Sequence, residues 1–296
     1  MYDIPQPKDR PLWFIRKSYL PYLKTLEPKT DHCQIVHITT GLEFPWDMVR
    51  ALEVALLRTF ASRSISGLLK RTGKFEKQGQ RRYDDTALLI AEFMKWGYEH
   101  PRGKEAIERM NFIHSHYPIK NEDYVFVLST FVLDPIKWMD QFGWRPLHEV
   151  EKQGLFYFFI EIGKRMQLHD LPATLDQMQA QAQAYEAKYF SYAPENEKIA
   201  LATIAVMEAW MPPFVRFAIK PSVTAMLDKP LRRAFGLTDP PPWLAPVLRA
   251  GLKVRARTLR WINPNRTATF ATDQHNRTYP KGYEIQELGP EHLSGK

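Results

Sequence analysis

The chain has 296 residues, 44% of them hydrophobic, with 41 basic against 33 acidic side chains, a formal charge of +8 and a single cysteine, Cys33. The hydrophobic share supports a sizeable core in one large domain and argues against a disordered chain. A lone cysteine closes no internal disulfide and builds no multi-thiolate metal site, and the basic residues are spread rather than blocked, so zinc ribbons, iron–sulfur centres and nucleic-acid binding lack sequence support.

No apolar run approaches the roughly 20 residues that span a bilayer. The start, Met1-Tyr2-Asp3-Ile4-Pro5, shows no basic-then-apolar leader, so an intracellular protein, soluble or peripherally membrane-associated, is expected. Helical periodicity prevails and no alternating strand pattern runs beyond a few residues, which predicts an all-α fold. We divide the chain into an extended, peripheral segment over 1–29, a helical domain over 30–262 and an irregular, partly mobile tail over 263–296.

In the entry segment, Trp13, Phe14, Tyr19 and Tyr22 stand near Arg16 and Lys17. Such a group packs back on its domain or touches a membrane surface. The first strong helix is expected from Pro45 to Phe60, with Trp46, Val49, Leu52, Leu56 and Phe60 on one largely buried face. A second, short helix should be capped by Ser64-Ile65-Ser66 and closed by Gly73 in a left-handed turn, which puts Arg71 and Thr72 at its C-terminal end.

Asp84 and Asp85 are expected to open a third helix and Pro101-Arg102-Gly103 to stop it. A fourth is expected from Lys104 to His116 and a fifth from Glu122 to Phe142. The fifth is apolar nearly all round and therefore central, and Asp134-Pro135 should kink or break it. Pro146 should start another buried helix, followed by helices over about 174–190 and 194–211. The last, about 243–262, carries Arg249, Lys253, Arg255, Arg257 and Arg260, a pattern that fits a solvated basic face or a membrane-surface or phosphate role.

Nine histidines are present, and helical geometry singles out one. On the fourth helix Ala106, Ile107, Met110, Ile113 and Tyr117 fall within about 120° at 100° per residue, and His114 projects inside that arc while His116 does not. A core-facing imidazole needs partners for both nitrogens, so His114 is either a satisfied core histidine or a ligand. No His-Glu-x-x-His or comparable spacing supports a non-haem metal site, whereas haem needs one protein ligand and a large apolar slot.

The stretches Arg81-Arg82-Tyr83-Asp84-Asp85-Thr86, Arg109-Met110-Asn111-Phe112-Ile113-His114, Asp123 to Phe131 and Phe142-Gly143-Trp144-Arg145-Pro146-Leu147 resemble the MpaB/rubber-oxygenase catalytic domain family, which includes the bacterial latex-clearing proteins. The resemblance runs in order and spacing over roughly residues 30 to 260. It implies a globin-like helical core, a haem b cofactor with its iron, and O2-dependent cleavage of a C=C bond in an apolar isoprenoid chain to two carbonyl ends.

Residue by residue, the resemblance makes His114, in an Asn-x-x-His pattern with Asn111, the proximal iron ligand. His116 and His32 are the next candidates. Thr72 matches a distal threonine, but Arg71 stands where the latex-clearing branch has lysine, and Leu68 where it has arginine. Guanidinium ligates iron poorly, so Arg71 would rather hydrogen-bond oxygen or a propionate. Glu53 is the nearest match to the branch's distal glutamate, or else a surface side chain. Arg81, Arg82 and Arg109 are candidates to pair with propionates, while Asp84 and Asp85 orient a basic partner or cap their helix. The competing functional readings are a haem-binding or peripheral-membrane protein without turnover, and a haem hydroxylase or peroxidase.

Overall fold

The computed structural model describes residues 2, 4–5, 18–73, 78–262 and 267–293, with the side chain of Thr72 also outside the description. The helices in chain order are α1 (Leu20–Leu23), α2 (Pro28–Ile38), α3 (Pro45–Thr59), α4 (Arg63–Thr72), α5 (Gly79–Trp96), α6 (Pro101–Ser115), α7 (Asn121–Phe142), α8 (Glu149–Arg165), α9 (Leu175–Tyr189), α10 (Pro194–Ala209), α11 (Ile219–Met226), α12 (Lys229–Ala234) and α13 (Leu244–Leu259). Among the described residues the only β pairing is an isolated bridge between Ser62 and Phe190. The all-α expectation holds.

α7 is the hub, packed against α3, α8, α9 and α13. Its apolar residues supply this role, with Phe126, Leu128, Val132, Leu133 and Met139 all buried. Contrary to expectation, α7 runs through Pro135 unbroken. Proline removes one donor there, but Asp134 is held by Arg58 of α3, and the hydroxyls of Ser129 and Thr130 donate to the carbonyls of Phe126 (2.6 Å) and Val127 (2.7 Å). The ion pair thus anchors the turn that proline weakens, while the two hydroxyl bonds lie in the turn before it.

Arg58 is buried and meets three carboxylates. Its Nε donates to both oxygens of Asp134 (3.0 and 3.1 Å), one Nη to Glu186 of α9 (3.1 Å) and the other to Asp228 (2.6 Å), the N-cap of α12. Burial by itself lowers a guanidinium's pKa, but the three carboxylates outweigh it and hold Arg58 above its ordinary value. A second clamp is built on Arg145, which pairs with Glu43 (2.7 Å) and Glu151 (2.5 Å). Trp144 Nε1 adds a bond to the Glu43 carbonyl at 3.0 Å.

Several boundaries differ from the expected ones. α5 begins at Gly79, so Asp84 and Asp85 are buried inside it and cap nothing. Pro101 does not stop α5 but opens α6, where its missing N–H costs nothing. Pro146 precedes α8 by three residues, and the helix starts from His148 through a reciprocal cap with Glu151. Ser62, not Ser64, precedes α4; the Ser64 hydroxyl donates to Asp123 at 2.6 Å. Gly73 closes α4 with φ +62°, as expected.

Tyr19 is buried on the domain with Leu23 and Ile35, while Trp13, Phe14, Arg16 and Lys17 lie outside the described residues. Residues 267–293 are irregular and packed on the helices, with Phe270, Ile285, Leu288 and Leu293 buried. Arg109 draws them in, donating to the carbonyls of Leu288 (2.9 Å) and Leu293 (2.8 Å).

Truncating Arg58→Met should leave buried Asp134, half-buried Glu186 and exposed Asp228 without their cation and cost about 3–5 kcal/mol in urea unfolding. Lys164→Met, which removes an exposed pair with Glu161, should change stability by no more than about 1 kcal/mol. Equal losses would show that the Arg58 cluster does not hold the helices together.

Candidate functional site

Two adjoining cavities lie between the helices. The inner one, about 150 Å³, is walled by α5, α6, α7 and α8 and includes His114, Arg82, Asp85, Met110, Tyr124 and Phe159. The outer one, about 350 Å³, lies between α3 and α5, bordered by Trp210 and by residues 269–277. Leu56, Thr86, Ile90 and Phe131 line both, so these four side chains form the partition.

This partition explains why the apolar stripe of α3 is less buried than periodicity implied. Val49, Leu52 and Leu56 keep partial exposure because they face the outer cavity, while Trp46 is exposed. A helix that lines a cavity shows the same apolar pattern as one that fills a core, since both faces exclude water.

His114 is where the helical arc placed it. Its ring lies 5.2 Å from that of Tyr124, and its Nδ1 is buried with no hydrogen-bond partner. Burial, reinforced by the Arg82 charge, pushes the imidazole down to about 4, so it is neutral at pH 7 and has a lone pair to offer.

The other two candidate histidines differ. His32 is engaged at both nitrogens, Nδ1 with the Pro28 and Lys29 carbonyls and Nε2 with the Tyr98 hydroxyl. His116 is exposed and bonds the Phe112 carbonyl at 2.7 Å.

Asp85 shares the inner cavity. The Tyr279 hydroxyl donates to one oxygen at 2.6 Å, and burial raises the carboxyl while Tyr279 and the Gly289 N–H pull it back. Its other oxygen has no hydrogen bond and stands 4.0 Å from Arg81. Asp84, one residue earlier, accepts from the Gln80 amide (3.0 Å) and from the backbone and hydroxyl of Thr278. The Asp-Asp-Thr stretch therefore fastens residues 278–289 against α5 while Asp85 and Thr86 face the cavity. Gly289, at φ +108°, completes the wall, and a Cβ there would meet Ile113 at 2.5 Å.

Glu53 is buried at the outer cavity. Tyr83 donates to it at 2.7 Å and Arg50 at 2.6 Å. Burial raises its carboxyl above the usual range against the pull of Arg50 and Tyr83, which makes it a group able to hold or accept a proton beside an apolar space. Tyr83 was not singled out by sequence reasoning, although it lies inside a matched stretch.

The remaining expected site residues are elsewhere. Arg71 is exposed and lines neither cavity, because the apolar side of α4, Ile65 and Leu69, packs on the cluster around Ile199 and Phe235 and turns Arg71 outward. Arg109 is committed to the tail carbonyls described above. Asn111 donates its amide to the Arg165 carbonyl at the end of α8 (2.9 Å). Of the three arginines considered for anionic groups, Arg82 is the one at the inner cavity.

The chemistry of these residues suits a haem group. An unpartnered, neutral imidazole nitrogen stands in an apolar cavity with one guanidinium at its edge, which is the donor set a single-histidine haem site uses. The inner cavity is below the range of sites that enclose drug-sized ligands and the outer one falls within it, so a porphyrin held by His114 would have to part the Leu56, Thr86, Ile90 and Phe131 partition.

The family described as "ER-bound oxygenase mpaB/B'/Rubber oxygenase, catalytic domain" matches residues 41–261. ER-bound oxygenase mpaB' of Penicillium brevicompactum is 26% identical over 95% of this chain and 83% of its own length. ER-bound oxygenase mpaB of Penicillium roqueforti is 30% identical over 74% of this chain and 80% of its own. The mpaB oxygenase of P. brevicompactum is 28% identical over 86% of this chain and 64% of its own.

A histidine held near 4 against about 6.5 in the unfolded chain gives stability that is full above pH 6.5 and is lost as pH falls toward 4, by up to about 3 kcal/mol. In protein purified free of bound groups, His114→Leu should flatten the fall of unfolding midpoint between pH 6.5 and 4. An unchanged slope would mean that His114 is solvated.

Proposed function

The chain belongs to the ER-bound oxygenase mpaB/B'/rubber oxygenase catalytic-domain family, and from that premise we propose that it is a haem b-dependent oxygenase. It opens a C=C bond of an apolar, isoprenoid-type chain with O2. The balance is simple: the double bond breaks, and one atom of dioxygen goes to each carbon, giving two carbonyl ends with no net reductant. That it is an oxidoreductase follows from the family; haem and alkene cleavage are our reading.

One observation carries the reading: the buried, partnerless Nδ1 of a neutral His114 at an apolar cavity. Among the described residues no three His, Cys, Asp or Glu side chains converge as a metal site. An iron ion here would need further ligands beyond His114, which a haem group would bring with it. Haem bound there supplies an iron centre at which dioxygen is activated.

The chain's own residues then have separable tasks. His114 holds the group, and Arg82 balances an anionic propionate at the cavity edge. Val49, Leu52, Leu56 and Phe131 offer an apolar chain a dry surface along the outer cavity. Glu53, kept protonated more readily than an exposed carboxylate, holds or takes a proton on the substrate side, with Tyr83 fixing its orientation. Asp85 and Gly289 keep the tail closed over the inner cavity and exclude water. The exposure of Arg71 favours Glu53 over Arg71 as the polar group acting beside the substrate.

Purified protein should show a Soret band that His114→Ala abolishes, and O2 uptake with carbonyl formation on a panel of prenylated substrates. Glu53→Gln should keep the Soret band and lower turnover by roughly 10²–10⁴. Haem retained in His114→Ala would move the ligand elsewhere. Hydroxylated products in place of carbonyls would replace cleavage with a different haem oxidation.

A further inference from the structure

α13 carries two apolar faces. Leu244, Leu248, Leu252, Ala256 and Leu259 turn inward, and with them Arg255, which stacks 3.7 Å above Trp46 and pairs with Asp47 at 2.9 Å. On the opposite side Trp243, Val247, Ala250, Val254 and Trp261 fall within about 60° of one another at 100° per residue. Trp243 is 63% and Trp261 68% exposed, and Val247 and Val254 are more than half exposed. An ordinary surface helix is polar on its outer side.

Basic residues border this outer stripe along one edge: Arg249, Lys253, Arg257 and Arg260, all exposed. None of the described residues pairs with Lys253 or Arg257, and no acidic side chain occurs between Pro240 and Ile262. The pattern continues across α11, which packs on both α13 and the 3₁₀ turn Pro213–Ala218. There Phe214 and Phe217 are 77% and 81% exposed. Three residues apart in a 3₁₀ turn, they share a face. Arg216 and Lys220 stand beside them, and no acid lies between Pro212 and Leu227.

We propose that the outer face of α13, with the Phe214–Phe217 turn, docks this protein on an anionic phospholipid surface. Tryptophan and phenylalanine favour the boundary between headgroups and acyl chains, where an amphipathic ring satisfies both sides. Lysine and arginine on the flank reach the phosphates while their stems cover apolar surface. The charge decides the occupant: a second copy of the chain would set a basic stripe against a basic stripe, whereas a lipid surface presents the opposite sign. No helix of the described residues is long and apolar enough to cross a membrane; the proposed docking is by this face lying on the surface.

The test is co-sedimentation of the full chain with phosphatidylcholine vesicles with and without phosphatidylglycerol, at low and high salt. The wild type should bind the anionic vesicles, weakly at high salt. The double variants Trp243→Ser/Trp261→Ser and Lys253→Glu/Arg257→Glu, which alter exposed side chains and should keep the wild-type circular dichroism, should each lower partitioning at least ten-fold. Absence of binding, or binding that both variants retain, would overturn the proposal. So would a wild-type dimer in analytical ultracentrifugation that the tryptophan variant converts to monomer, because the face would then be covered by a second copy.

Discussion

The guanidinium of Arg58 sets the frame on which the rest depends. Three carboxylates from α7, α9 and the start of α12 converge on it, and a charge withdrawn from water tolerates little displacement of its partners. Fixing Arg58 fixes the roll of α3 against α7. That roll decides that Glu53 and Leu56, on the same helix, look toward α5 rather than toward solvent. The cavity walls are therefore a consequence of an ion cluster that touches neither cavity.

Much of the fold was legible because periodicity reports burial. The central position of α7 followed from its lack of a polar face, and His114 was found from its place among Ile107, Met110 and Ile113. What periodicity does not report is what lies opposite an apolar face. Val49, Leu52 and Leu56 read as core and turned out to line a space. Pro135 read as a break, since the sequence does not show that Arg58 pairs with Asp134 beside it.

The candidate site was legible only in part, for a related reason. Matched stretches mark positions, not roles. Arg109, Asn111 and Arg145 all belong to such stretches and serve the frame, binding the tail, the end of α8, and Glu43 with Glu151. Asp84 and Asp85 look like helix-opening acids until residues 278–289 are seen beside them, nearly two hundred positions away. Long-range contacts of that kind leave no trace in local spacing. Glu53, by contrast, was reachable from order along the chain, and its burial is what separates it from an ordinary surface glutamate.

The seam between α5 and the tail also has a consequence for assembly in time. Every helix that walls the inner cavity is made by residue 165, but Gly289, which lines it, and Tyr279, which holds Asp85, come more than a hundred residues later. During synthesis the His114 slot stays open along that side while more than a hundred further residues are added. The order of translation itself separates the building of the helical walls from the closure of that side.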